Sequence, residues 1–315
     1  MTEKTGANQF RCELSIVATV FNEQDTIAEF VRAVVSHLLP LQISYELILV
    51  NDGSRDASGR ILEEECCKNP QVKAVTLSRN FGQQIAVSAG LEYAGGRFTV
   101  IMDGDLQNPP SEIPRLYRKI KEGYDIVYTR SSVRNNFWDE CTSRFFWFCL
   151  NSLLGLKMVS NQLMMKIMTA EFVSHFKEYP ELNRVVAGIT HDIGMRHAVL
   201  EVENQKRERG KGHYSFLSRL GLSLDIILAL SQKPLTFMIY LGGGASILFL
   251  LLGCYYLIKH FIYDVPAGYT SIVLLICLFG SLNIAMLGLI GRYLSNIYLE
   301  VKRRPLFFVQ RTINL

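Results

Sequence analysis

The 315-residue chain lacks the patterns that announce several common enzyme classes. Its seven cysteines, at 12, 66, 67, 141, 149, 254 and 277, form no Cys-x-x-Cys pair and are odd in number. That argues against a disulfide framework and a cysteine zinc site, and fits a reducing compartment. No Gly-x-Ser-x-Gly, Walker loop or Gly-x-Gly-x-x-Gly occurs. His191-Asp192 has no second, suitably spaced ligand, so it makes no metal site on its own. The stretch 1–13, MTEKTGANQFRCE, is polar and has no apolar h-region. No secretory signal peptide is therefore expected, and the N-terminal domain is expected to stay in the cytosol.

Charge is small in sum, +4, but uneven in placement. Basic residues crowd Lys206–Arg219 and Lys302–Arg311, on either side of an apolar region. A nucleic-acid binder would be more uniformly basic; a protein held against an anionic bilayer would show this pattern.

Strands and helices alternate along the first part of the chain. Residues 14–20 (LSIVATV), 45–50 (YELILV), 72–77 (VKAVTL), 97–102 (RFTVIM) and 125–129 read as strands. Between them, 24–39, 56–67, 83–93 and 111–121 carry helical patterns, the first with Ile27, Phe30, Val31, Val34, Val35 and Leu38 at helical spacing. This alternation predicts an α/β domain with a mostly parallel sheet. Ligands of such sheets sit beyond the carboxyl ends of the strands. The clusters Phe21-Asn22-Glu23, Asn51-Asp52-Gly53 and Asp103-Gly104-Asp105 all follow strand ends. Any one of them reads as a turn or a helix cap. All three on one rim point to a nucleotide-type pocket.

Two charge-free segments follow, 234–258 and 265–291, each long enough to cross a bilayer. Lys233 flanks the first and Lys302, Arg303 and Arg304 follow the second, which places both outer ends in the cytosol. Gly242-Gly243-Gly244, Gly280, Ser281, Gly288 and Gly291 permit close helix packing. The preceding stretch 216–232 is amphipathic, and reads equally as an interfacial helix or an ordinary core helix. The expected organisation is a catalytic domain over 1–215, a juxtamembrane helix over 216–233, a transmembrane hairpin within 234–292 (spans about 234–258 and 268–291) and a basic cytosolic tail over 293–315.

Asp103-Gly104-Asp105 sets two carboxylates close together, which repel unless a cation sits between them. A hard divalent ion such as Mg²⁺ or Mn²⁺, bridging carboxylates and phosphate oxygens, suits that arrangement. It would offset charge on a departing nucleotide diphosphate.

The longer run Asp103-Gly-Asp-Leu-Gln-Asn-Pro-Pro110 resembles the family 2, GT-A-fold glycosyltransferases of the dolichol-phosphate mannose synthase type. The resemblance is strongest to their bacterial branch, the polyprenyl-phosphate glycosyltransferases with a C-terminal transmembrane hairpin. It extends in order through Val20-Phe21-Asn22-Glu23, Asn51-Asp52-Gly53-Ser54-x-Asp56, Ser78-Arg79-Asn80-Phe81-Gly82-Gln83, Ala89-Gly90-Leu91 and Glu122-Gly-Tyr-Asp-Ile-Val. Near the end it takes in Arg207-x-x-Gly210-x-x-x-Tyr214-Ser and Tyr298-x-x-x-Lys302-x-Arg304-Pro305.

The resemblance implies roles at matching positions. Val20, Asn22, Glu23 and Asp52 would line the nucleoside pocket. Asp103 would touch ribose or metal, with Asp105 and Gln107 as metal ligands. Arg130 and Arg144 would meet the lipid phosphate and Arg207 the diphosphate, a task suited to an arginine fork. Ser160 stands where the bacterial branch carries an Asp, and Gly212-His213 stand where Ser-Lys is common. A phosphate monoester acceptor is largely dianionic at neutral pH, so it needs positioning more than deprotonation.

The implied activity is inverting transfer of a sugar from a nucleotide-sugar, a UDP-sugar by resemblance, to undecaprenyl or another polyprenyl phosphate. The implied setting is the bacterial inner membrane, as a multi-pass protein and homo-oligomer that binds no nucleic acid. Two rivals are kept. A processive polysaccharide synthase would carry Gln-x-x-Arg-Trp, which is absent. A degenerate, non-catalytic sugar-lipid binder is motivated by Ser160 and Gly212.

Overall fold

The computed structural model describes residues 10–131, 162–179, 181, 186–202 and 268–315, with five single positions between 240 and 255. The chain divides into two compact units. The first comprises 1–148, 157–213 and 305–315; the second comprises 149–156 and 214–304.

The first unit is built on one eight-stranded sheet, in the order β7-β5-β6-β4-β1-β2-β3-β8. Its strands are β1 (Cys12–Val20), β2 (Tyr45–Asn51), β3 (Val72–Leu77), β4 (Gly96–Asp103), β5 (Ile126–Ser131), β6 (Gln162–Thr169), β7 (His197–Val202) and β8 (Val309–Ile313). The helices are α1 (Ile27–Leu38), α2 (Ser58–Lys68), α3 (Gln83–Tyr93), α4 (Ile113–Ile120), α5 (Ala170–Glu178) and α6 (Val186–Asp192). Pairings β1–β2, β1–β4, β2–β3 and β5–β7 are parallel, while β4–β6, β5–β6 and β3–β8 are antiparallel.

The sequence reads as it does because the sheet is covered on both faces. All seven residues of β2 are buried, and its Leu47-Ile-Leu-Val50 is the continuous apolar run of a central strand. Along β1, Leu14, Ile16, Ala18 and Val20 join the core that also takes Phe30 of α1 and Leu116 of α4. Val17 faces the other way, into the core shared with Ala86 and Leu91 of α3 and Phe172 of α5. That is the period of two expected of a strand. Helix α1 buries Ile27, Phe30, Val31, Val34 and Leu38, and each such side chain contributes about 1.5–3 kcal/mol over an exposed position.

The strand order reverses about β1, with β2 and β3 to one side and β4 to the other. The carboxyl ends of β1, β2 and β4 therefore share one rim at a topological switch point, the usual place for a ligand in such sheets. The alternating architecture expected over 12–131 is present. Beyond it the structure adds β6, α5, α6 and β7, together with β8 from the last residues of the chain.

The second unit contributes α7 (Tyr269–Val301) to the described residues. Among the described residues no helix is long and apolar enough to cross a membrane. The expected span 268–291 coincides with the first part of α7. The expected span 234–258 and the amphipathic stretch 216–232 lie outside the described residues, apart from Tyr240, Gly242, Gly244, Leu251 and Tyr255.

Candidate active site

The rim is assembled by backbone groups before any side chain contributes. The Asp52 amide donates to the Val20 carbonyl at 2.9 Å, and the Gly104 amide donates to Thr19 at 3.1 Å. These two bonds continue the parallel ladders by one residue and hold the chains leaving β2 and β4 against the two sides of β1. A Cβ on Gly104 would lie 2.8 Å from the Thr19 carbonyl oxygen, so the approach requires glycine.

The loops after β1 and β2 are then laced together. Asn22, in the left-handed region at φ +54°, accepts from the Arg55 amide at 2.9 Å and donates its own amide to Ser54 at 3.0 Å. The Glu23 amide donates to Ser58 at 3.0 Å, and the Ala57 amide donates to Gln24 at 3.0 Å. Asparagine tolerates that backbone better than other non-glycine residues. The lacing fixes the Asn22 and Glu23 positions while leaving Phe21 exposed at the rim.

Asp52 is 2 % exposed, and both of its carboxylate oxygens are occupied. One accepts from the Phe81 amide at 2.7 Å, the other from the Gly82 amide at 2.9 Å. Burial pushes its carboxyl above the ordinary Asp range, and the two amides and the Arg79 charge pull it back only in part. Asp52 thus acts as a clamp on the segment 78–83. Gly53, at φ +66°, lies against the same segment, and a Cβ there would sit 2.3 Å from the Arg79 carbonyl carbon. Arg79 in turn stacks over the Phe81 ring at 4.0 Å.

The clamped segment opens into α3, whose first residue, Gln83, donates its side-chain amide to Asp103. Asn108 donates to the other Asp103 oxygen at 3.1 Å. Burial, and then the neighbouring Asp105 charge, push the Asp103 carboxyl up to about 6, against these bonds and the charge of Lys166. Asp105 accepts from the Gln107 backbone amide at 3.1 Å and from its side-chain amide at 2.6 Å. Between them Leu106 is held at φ +61°, a strained conformation for a branched side chain.

Asp103, Asp105 and Gln107 therefore lie together at the end of β4, held against the end of β1 through Gly104. Among the described residues no group of three or more His, Cys, Asp or Glu side chains is placed to hold a metal ion by itself. Two carboxylates and an amide oxygen are hard donors and suit Mg²⁺ or Mn²⁺. Such a set leaves positions open for water and phosphate oxygens. The raised proton affinity of Asp103 comes first from burial and then from the like charge of Asp105.

Lys166 is the residue that sequence reasoning missed. It lies on β6 opposite Ile101 and Tyr128, is 1 % exposed, and holds its ammonium 5.7 Å from the Tyr128 ring centroid. Burial lowers its pKa to about 7, with the Asp103 charge opposing. The available signal was one lysine inside the apolar run Leu163-Met-Met-Lys-Ile-Met168. Gln83 and Asn108 were visible only as members of longer motifs.

Arg130, on β5, is half exposed and pairs with Glu201 of β7. Arg144, Ser160 and Arg207 lie outside the described residues. A cavity of about 370 Å³ opens elsewhere, at the opposite end of the sheet, where Arg97, Lys121, Tyr124 and Glu171 line it. It contains none of the expected site residues.

Comparison with known proteins bears on this rim. The sequence profile described as glycosyl transferase family 2 matches residues 15–196, more than half of the chain. An uncharacterised glycosyltransferase of Synechocystis sp. is 36% identical over 301 residues, covering 94% of each chain. The undecaprenyl-phosphate 4-deoxy-4-formamido-L-arabinose transferase of Proteus mirabilis is 30% identical over 309 residues, covering 96% of this chain and 94% of its own. Among solved structures, the fold is similar to glucosyl-3-phosphoglycerate synthase of Mycobacterium tuberculosis in complex with Mn²⁺, UDP and glucosyl-3-phosphoglycerate. The TM-score is 0.50 at 20% identity, over 71% of this chain and 80% of that one.

Proposed function

The chain belongs to glycosyl transferase family 2, and within that family we propose that it transfers a sugar from a UDP-sugar to a polyprenyl phosphate, undecaprenyl phosphate in the first instance. The observation that carries this reading is the Asp103–Asp105–Gln107 loop at the switch point of the sheet. The near full-length relative named for undecaprenyl phosphate supports the choice of acceptor.

In this reading a lipid phosphate oxygen attacks C1 of the sugar from the face opposite the diphosphate. The C1–O bond to the diphosphate breaks, UDP leaves with the electron pair, and the configuration at C1 inverts. Asp103, Asp105 and Gln107 would hold a divalent cation, which when bound would supply Lewis-acid stabilisation of the leaving diphosphate. Arg207 adds a guanidinium to the same oxygens. Asn22 and Glu23 shape the nucleoside end, with Val20 buried behind them and Asp52 setting the loop beside them. Arg130 and Arg144 receive the acceptor phosphate, Arg130 exchanging its exposed Glu201 partner for it. Such a surface pair is worth only about 0–1 kcal/mol, so the exchange costs little. Ser160 lies on the acceptor side in place of a carboxylate, which the dianionic acceptor tolerates.

We place the protein in the cytoplasmic membrane through a hairpin of 234–258 and 268–291, with the sheet unit on the cytosolic side, as a homo-oligomer. The support is the pair of charge-free segments between basic flanks and, for the homo-oligomer, the small residues Gly242, Gly243, Gly244, Gly280, Gly288 and Gly291 within them.

The test is turnover by purified protein in detergent, given undecaprenyl phosphate, Mn²⁺ or Mg²⁺ and a panel of UDP- and GDP-sugars. A glycolipid of the expected mass is expected with a UDP-sugar, and Asp105→Ala should cut its formation by at least about 100-fold. Nucleotide binding without any lipid product would favour the degenerate binder, and absence of nucleotide binding would remove the reading.

A further inference from the structure

The last residues of the chain form the edge strand beside β3, and the start of that strand reaches the nucleotide end of the sheet. Strand β8 runs antiparallel to β3, with Ala74 opposite Ile313, Val75 opposite Thr312 and Thr76 opposite Arg311. The register then shifts at Thr76/Leu77, so that Leu77 faces Val309. Just past that irregularity the Ser78 amide donates to the Phe308 carbonyl at 2.9 Å. At the other end of β8, Asn314 sits at φ +60° and its side-chain amide donates twice, to Cys66 at 2.8 Å and Val72 at 2.9 Å. Phe307 and Val309 pack against the same core as α3.

Ser78 opens the segment whose Phe81 and Gly82 amides hold Asp52 and whose Gln83 holds Asp103. This segment has few internal bonds of its own. It is fixed from outside, by Asp52 below, by the close approach of Gly53, and by Phe308 at its start. We infer that β8 is a positioning element of the donor site, setting the 78–83 segment and through it the Asp52 and Asp103 carboxylates. Asn314 and the Phe308 carbonyl are its anchoring groups. The inference rests on the donor-site reading above, and it gives the C-terminal residues a role in nucleotide affinity in addition to covering a sheet edge.

Linkage supplies a test that needs no variant. If β8 biases the nucleotide segment, nucleotide must stabilise β8 by the same coupling. Hydrogen exchange of the full-length protein in detergent, with and without UDP and Mn²⁺, should show slower exchange at 309–313 as well as at 78–84. The second limb is Asn314→Gly, which keeps the left-handed backbone and removes both donors. The dissociation constant for UDP, measured by calorimetry, should rise by about fivefold, the lower end of coupling between linked sites, with stoichiometry near one. Arg311→Ala, which removes only the exposed pair with Glu63, should leave it unchanged.

A strand that merely covers the edge would behave differently. Asn314→Gly would then lower the fraction of competent protein without changing the affinity of what remains. Slowing at 78–84 with none at 309–313, or an unchanged dissociation constant in Asn314→Gly, overturns the inference while leaving the donor site standing. A wild-type protein that binds no nucleotide removes both.

Discussion

At the scale of single residues, the site is expensive to keep folded. The Asp103 carboxyl is raised from 3.8 to about 6 in the folded protein. A group raised on folding imposes no penalty below its unfolded value, where both states are protonated. The penalty grows through the interval and is complete above the folded value. Asp103 therefore destabilises the cation-free protein as pH rises from about 4 to about 6. At ~1.4 kcal/mol per unit the cost has an upper bound near 3 kcal/mol, and partial solvent exposure reduces it to about 1–2 kcal/mol. Asp103→Asn should accordingly melt higher than the wild type in EDTA at pH 7.5, and lose that advantage near pH 4, while losing turnover. Equal melting curves at pH 7.5 would show that the like-charge cost is absent. Lys166 limits the same cost from beneath. Its pKa of about 7 means that the countercharge is present below that pH and fades above it. Lys166→Met should move the acid limb of UDP binding, titrated with Mn²⁺ from pH 5 to 7, upward by about half a unit or more. An acid limb that stays put would show that Asp103 does not sense the ammonium.

At the scale of elements, the segment 78–83 governs the rim, and Gly53 is its tightest constraint. An alanine there must adopt φ +66° with its Cβ 2.3 Å from a backbone carbon, so the segment has to move. We expect Gly53→Ala to cost about 2–4 kcal/mol in stability, and to weaken UDP binding in whatever folds. Melting and calorimetry on the same preparation check both. Gly53→Ala with wild-type affinity would mean that the segment has freedom not visible in its packing. What was legible in the sequence follows the same division. Strands and helices over 12–131 announce themselves either by a regularly spaced apolar face, as in α1, or by a short continuous apolar run, as in β2. The metal-type loop is legible because the spacing of Asp103, Asp105 and Gln107 is local. Asp52 is different: the pattern Asn51-Asp52-Gly53 marks a carboxylate at a strand end. It does not distinguish one that faces ligand from one that captures the amides of Phe81 and Gly82, about thirty residues on. Strand β6 was obscured by Lys166 in its middle, and Arg130 shows no sign in sequence of a partner as distant as Glu201. These are tertiary pairings, and local periodicity carries no record of them.

At the scale of the whole molecule, the catalytic sheet is not contiguous in sequence. Residues 305–315 belong to the same compact unit as the N-terminal strands, with the second unit's 214–304 intervening. A basic tail is what the charges at Lys302, Arg303, Arg304 and Arg311 suggest, and the strand Val309-Gln-Arg-Thr-Ile313 is too short and polar to stand out from it. A boundary at residue 215 therefore severs β8 and leaves the amides and carbonyls of β3 unpaired along one edge. Exposed edges of this kind recruit other chains. The loss includes the β3–β8 ladder and the Asn314 bonds to Cys66 and Val72, each worth about 0.5–1.5 kcal/mol net. A fragment of residues 1–215 should thus melt lower than one in which 305–315 is joined after 215 by a flexible Gly/Ser linker, and should elute as soluble aggregate in size-exclusion chromatography. The joined fragment should be the more monodisperse of the two, because its edge is capped by the strand that caps it in the intact chain. If the two fragments instead melt together and elute alike, β8 contributes nothing to the integrity of the sheet, and the edge of β3 is protected by its own sequence.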